Sequence, residues 1–174
     1  LINNGNGIFI GNIGGVNPQR GHGYIGLNAG STGVATITGA NSLWQNQNRI
    51  YVGFNGQGTL NIADGGKVSG AGNTIGHNAG STGNVTVTGA GSLWESSAGL
   101  SVNRGTLNIE NGGKVTNVFG SIGSSTSADT AATVTITGQN SLWQNSTTLH
   151  VGNRSQGTLN VQDGGKVTNT NGYI

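Results

Sequence analysis

Acid–base or metal chemistry in this 174-residue chain would have to come from Asp64, Glu95, Glu110, Asp129 and Asp163, or from His22, His77 and His150. A polysaccharide-cleaving site needs several carboxylates converging on one face, to hold a metal or to act as acid and base. Here the acids fall at unlike points of the sequence pattern. Only Asp64 and Asp163 share a repeat position, Asn111 stands in it between them, and both are expected to be corner residues bonded to turn amides. The histidines also occupy unlike positions, none has a second ligand at fixed spacing, and each is expected to face solvent. Cysteine is absent, which removes disulfides and thiolate metal sites. No nucleophile elbow or phosphate-binding glycine loop stands in a strand-to-helix setting. The expectation is a chain with no catalytic residue, no metal and no cofactor, and not an enzyme.

Three tryptophans and three lysines form the other candidate. Thr36-Ile37-Thr38-Gly39-Ala40-Asn41-Ser42-Leu43-Trp44 returns as Thr86 to Trp94 and as Thr135 to Trp143. If Leu43 points inward, strict alternation places Ser42 and Trp44 outside, with Lys67, Lys114 and Lys166 in the column equivalent to Ser42. Exposed Trp44, Trp94 and Trp143 beside those lysines would form a ladder able to stack on sugars or on a partner surface. The competing expectation is that each indole folds over a corner onto Ser69, Thr116 or Thr168 and serves the repeat itself. The pairs Thr36/Thr38, Thr86/Thr88 and Thr135/Thr137 also point outward. Asn61/Ala63, Asn108/Glu110 and Asn160/Gln162 interrupt them in alternate coils, so no regular threonine array results, and strand propensity accounts for the threonines.

The elements that position these residues follow from the repeat. A period of about fifty residues signals a stacked array, and each period divides into two similar halves. The half from Tyr24-Ile25-Gly26 to Leu43 matches the half from Tyr51-Val52-Gly53 to Val68. Each half holds three short alternating runs, such as Ile50-Tyr51-Val52, Thr59-Leu60-Asn61-Ile62 and Lys67-Val68-Ser69, the signature of strands with one buried face. Gly-rich breakers at Gly56-Gln57-Gly58, Asp64-Gly65-Gly66 and Gly70-Ala71-Gly72 separate them.

Three strands and three corners in about 25 residues make one coil of a parallel β-helix, an all-β solenoid of about six to seven coils. The inner columns are predicted as Ile25, Val52, Ile75, Val102, Ile122, Val151; then Ile37, Ile62, Val87, Ile109, Ile136, Val161; then Leu43, Val68, Leu93, Val115, Leu142, Val167. Residues 25–174 are expected to hold three repeats, hence six coils. A propeller blade would have no reason to repeat at half its length. Residues 1–24, with Ile8-Phe9-Ile10-Gly11 and the single proline Pro18, are expected to form a degenerate N-terminal coil and loop.

Composition agrees with a narrow core. Hydrophobic residues make 32% of the chain and charged residues 7%, while 35 glycines and one proline punctuate many turns. A net charge of +2, with lysines scattered at about fifty-residue intervals, gives no phosphate-tracking stripe, so nucleic acid is not an expected partner. No apolar stretch reaches the length of a membrane span, and no signal-like N-terminus is seen. The chain begins and ends in mid-pattern, which reads as an excised piece of a longer array.

The succession Ile75-Gly76-His77-Asn78-Ala79-Gly80-Ser81-Thr82-Gly83, Thr86-Val87-Thr88-Gly89, Ser92-Leu93-Trp94, Gly105-Thr106-Leu107-Asn108-Ile109 and Gly112-Gly113-Lys114-Val115 resembles the repeats of bacterial autotransporter (type V secretion) passenger domains. The resemblance spans about residues 24–174. It departs at Val102-Asn103-Arg104, where three residues are missing, and at the insertion Ser124 to Ala132. It implies a right-handed parallel β-helix of an autotransporter adhesin, exported to the cell surface or secreted, and not itself inserted in a membrane. The partners it implies are a host-cell surface glycan or matrix protein, or another copy of itself in self-association and biofilm formation. Rival expectations are a passive stalk that presents another domain and a polysaccharide-degrading β-helix enzyme.

Overall fold

In the computed structural model, residues 21–125 and 131–174 are described, together with the backbone of Ile8–Phe9. They form a β-solenoid of about six turns with three strands per coil and no helix. The anchor sheet contains Ile8–Phe9, Gly23–Ile25, Arg49–Val52, Gly72–Ile75, Gly99–Val102, Phe119–Ile122, Thr148–Val151 and Asn171–Tyr173, in that spatial order. The broad sheet stacks Thr32–Thr38, Gln57–Ala63, Thr82–Thr88, Gly105–Glu110, Ala131–Thr137 and Gln156–Gln162. The short sheet stacks Leu43–Gln45, Lys67–Gly70, Leu93–Ser96, Lys114–Asn117, Leu142–Asn145 and Lys166–Thr168. All pairings are parallel except the first, where Ile8 opposes Ile25 and Phe9 opposes Tyr24 in antiparallel sense. The expectation of a degenerate first coil otherwise falls outside the described residues.

Two of the three expected core columns are observed. Ile25, Val52, Ile75, Val102, Ile122 and Val151 are buried, as are Ile62, Val87, Ile109 and Ile136. Ile37 is half-buried and Val161 exposed, each in a coil at one end of the stack. A further buried column, unanticipated, runs through Ala35, Leu60, Val85, Leu107 and Val134 of the broad sheet. Both apolar residues of the alternating run, such as Leu60 and Ile62, point inward, where the expected columns took only the second.

The third expected column is right at Val68, Val115 and Val167 and off by one residue at Leu43, Leu93 and Leu142. Trp44 pairs with Val68, Val68 with Trp94, Trp94 with Val115, and Val115 with Trp143. The inward column of the short sheet is therefore Trp44, Val68, Trp94, Val115, Trp143, Val167. Leu43 lies opposite Lys67, Leu93 opposite Lys67 and Lys114, and Leu142 opposite Lys114 and Lys166. A shift of one residue turns every side chain of a strand to its other face.

The physical reason is volume. Indole and valine differ greatly in size, so each coil compensates on the facing strand of the anchor sheet. Gly23 accompanies Trp44, Asn73 accompanies Trp94 and Gly120 accompanies Trp143. Ile50, Leu100 and Leu149 accompany Val68, Val115 and Val167, and all six share one buried register column. A Cβ placed on Gly23 or Gly120 would lie 2.8 Å from Cζ2 of Trp44 or Trp143. Large-with-small pairing fills one cross-section in two ways, and this alternation is what doubles a 25-residue coil into a fifty-residue repeat.

Corners use glycine in two manners. Gly65, Gly112 and Gly164 have φ of 86°, 85° and 84°, a left-handed conformation that costs other residues energy. The glycine that follows each has no such φ, but a Cβ on Gly66, Gly113 or Gly165 would overlap the carbonyl oxygen of Ile37, Val87 or Ile136 on the coil beneath. Register is kept across both length changes, since Gly105 pairs with Gly83 on one side and Ala132 on the other.

Candidate binding face

Trp44, Trp94 and Trp143 are 6%, 1% and 0% exposed, so the exposed indole ladder does not exist. The alternative holds in that the indoles serve the repeat, but the rings lie inside the coil rather than over a corner onto Ser69, Thr116 or Thr168. Trp143 Nε1 donates to Asn117 Oδ1 at 2.7 Å. With its amide oxygen turned to the indole, Asn73 accepts from Trp94 Nε1 at 3.1 Å and donates to Gly72 O at 2.9 Å. Buried indole nitrogen normally finds such a partner. Ser92 and Ser141 of the Ser-Leu-Trp motif are buried too, and their Oγ atoms accept from Gly65 N and Gly112 N at 3.0 Å, tying the corner of one coil to the next.

Lys67, Lys114 and Lys166 are exposed, as anticipated, but they share the column of Leu43, Leu93 and Leu142 rather than that of Ser42. The outward face of the short sheet therefore alternates leucine and lysine through six coils. Leu43 is 61% exposed; Leu93 and Leu142, with a lysine on each side, are half-buried. Two residues along, the same face carries Gln45, Ser69, Glu95, Thr116, Gln144 and Thr168 in register. In the third repeat the corner reads Gln139-Asn140 where the second has Ala90-Gly91. There the larger side chains wall a groove of about 510 Å³ against Lys114, Leu142 and Lys166.

The remaining candidates take structural positions. Asp64 and Asp163 are corner residues with φ of 51° and 49°. Their partners are threonine hydroxyls of the preceding coil rather than turn amides: Thr38 Oγ1 donates to Asp64 Oδ2 at 3.0 Å and Thr137 Oγ1 to Asp163 Oδ2 at 3.1 Å. Asn111, in the same column, donates to Thr88 Oγ1 at 3.1 Å. Asp129 lies outside the described residues. Among the described residues no three His, Cys, Asp or Glu side chains cluster as metal ligands would.

The histidines are not simply solvent-facing. His22 and His77 are half-buried against a ring cluster in which Tyr24 stacks on Tyr51 at 5.2 Å and His77 on Phe54 at 4.9 Å. His22 meets Tyr51 edge-on at 5.7 Å, and Arg49 N donates to its Nδ1 at 3.2 Å. His150 is half-buried beside Tyr173. Burial first, and the Arg49 guanidinium second, hold His22 below the ordinary histidine value; burial, Arg49 and Arg104 do the same for His77. Unfolded histidine therefore takes up a proton before the native rings do. The stability held by neutral His22 and His77 is complete above about pH 6.5 and is lost as pH falls towards their native values. Thermal melts followed by circular dichroism at pH 7.5 and 5.5 should show a lower midpoint in acid, and His77→Gln should reduce the difference.

The fold defines a β-solenoid, a class of extended repeat scaffold. No family model matches the chain, and neither a curated protein nor a solved structure matches it.

Proposed function

We propose that this solenoid is a non-enzymatic, surface-exposed segment of a bacterial autotransporter adhesin, and that it attaches through the leucine–lysine column of the short sheet. The supporting observation is the column itself. Leu43, Lys67, Leu93, Lys114, Leu142 and Lys166 stand in register on an outward face. Isolated exposed leucines carry little information, whereas an ordered apolar and cationic row on one face is what a contact surface requires. A rod of this kind makes weak contacts that add along its length. The repeat resemblance supplies the autotransporter setting, and with it attachment to host cells or to other bacteria and a place at the cell surface or in the medium.

The test is adhesion of beads carrying the chain to cultured host cells and to each other. Lys67→Gln, Lys114→Gln and Lys166→Gln together, in a protein whose melting is unchanged, should lower bead retention about tenfold, as loss of several cooperating contacts does. Undiminished retention would make the segment a passive stalk.

A further inference from the structure

We infer that the leucine–lysine column binds a linear acidic polysaccharide carrying one carboxylate per disaccharide. This rests on the reading of that column as the attachment face and names its partner. Successive coils of a parallel stack are spaced by about 4.8 Å, so lysines on every second coil stand about 10 Å apart in a straight row. An extended glycan of alternating neutral sugar and uronic acid repeats its charge at much the same interval, one disaccharide at a time. Lys67, Lys114 and Lys166 would each meet one carboxylate.

The residues between the lysines fit the rest of such a chain. Leu93 sits between Lys67 and Lys114, and Leu142 between Lys114 and Lys166. Each leucine presents apolar surface where the uncharged sugar of the repeat would lie, and the C–H face of a pyranose ring gains by covering it. Ser69, Thr116 and Gln144, two residues along the same face, offer hydroxyl and amide groups to sugar hydroxyls. The groove beside Lys114, Leu142 and Lys166, walled by Gln139 and Asn140, gives the chain a bed about 510 Å³ in volume.

Charge spacing separates this partner from other polyanions. Duplex nucleic acid places a phosphate every 3.4 Å along each strand, so lysines about 10 Å apart neutralise only about one phosphate in three, whereas each carboxylate of the glycan meets a lysine. At physiological salt the screening length is about 8 Å, shorter than the lysine spacing, so each lysine acts almost independently and the contributions add. Glu95 is the one acid on this face, offset by two residues from the column between Lys67 and Lys114, and it repels the same ligand.

The experiment is calorimetric titration of the 174-residue chain with hyaluronan decasaccharide, hyaluronan whose carboxylates have been reduced to alcohols, and duplex DNA of matching length. Hyaluronan should bind, and carboxyl reduction should weaken binding at least about tenfold. Each single Lys→Gln substitution should weaken it about two- to fivefold, as exposed ion pairs do, and Lys114→Gln with Lys166→Gln about tenfold. Glu95→Gln should strengthen it about twofold, a gain that damage to the fold cannot mimic. Equal binding of the reduced polymer, tighter binding of DNA, or no binding of hyaluronan would overturn the inference. If the lysine variant loses bead adhesion while wild-type chain ignores hyaluronan, the attachment face stands and only its partner is wrong. If hyaluronan binds with full dependence on the lysines while bead adhesion is unaffected by them, the partner stands and the adhesive role falls.

Discussion

Trp143→Ala should lower the unfolding free energy by about 3–5 kcal/mol, the cost of emptying a large aromatic site in a packed core. The ring is fully buried, its Nε1 is bonded to Asn117, and coils on both sides prevent collapse into the space. More telling is the exchange of coil type. Gly120→Leu alone should cost about 3 kcal/mol or more, because its Cβ would overlap the amide oxygen of Asn145 and meet Trp143 Cζ2 at 2.8 Å and Leu149 Cδ1 at 2.9 Å, and overpacking of a rigid core is expensive. Trp143→Val alone leaves a cavity. Together the two changes convert a glycine–tryptophan coil into the leucine–valine kind found at Leu100 and Val115. Urea unfolding of both single variants and the double should give a coupling energy of about 2 kcal/mol or more in favour of the double. Strict additivity would show that the two positions do not share one volume.

Gly105→Ala should be nearly as damaging, at about 3 kcal/mol or more by the same measurement. In other coils the residue after the anchor is a glycine with positive φ, as at Gly26, Gly53, Gly76, Gly123 and Gly152. The shortened coil has Asn103 there, and the left-handed turn moves to Gly105, with φ of 114°. A Cβ at that position would overlap the Gly83 carbonyl oxygen. Strain of about 1–3 kcal/mol from the backbone alone then adds to a clash with a hydrogen-bonded main chain. Gly30→Ala separates the two effects: φ is 74° but no atom lies within 4 Å of the new methyl, so only the backbone cost of about 1 kcal/mol should be measured.

The solenoid was legible in the sequence because equivalent residues stack, and the same aliphatic must return at the same place in each coil. Ile25, Val52, Ile75, Val102, Ile122 and Val151 could be aligned without any knowledge of the structure. The phase of the short sheet was not legible. Leu43-Trp44 and Val68 offer two apolar residues in one coil and one in the next, and aligning leucine with valine by size put the lysines in register with Ser42. What decides the phase is long-range: Gly23, Asn73 and Gly120 leave room that only an indole fills, and each lies about twenty residues before its tryptophan. A signal existed in the alternation of Gly23, Ile50, Asn73, Leu100, Gly120 and Leu149 in step with tryptophan and valine.

The same error of phase displaced the candidate site. Once the tryptophans turn inward, the lysines that were to stand near them are joined instead by Leu43, Leu93 and Leu142. The histidines were misplaced for a different reason. Tyr24 and Tyr51 share one coil position and Phe54 and His77 another, and these rings, with His22, meet only when adjacent coils stack.

Acrylamide quenching of tryptophan fluorescence decides between the two faces directly. With Trp44, Trp94 and Trp143 inside the coils, the native protein should be quenched several-fold less than the urea-unfolded chain, with emission shifted to shorter wavelength. Quenching of the native protein close to that of the unfolded chain would put the indoles outside, return the leucines to the core and remove the leucine–lysine column on which the binding face depends.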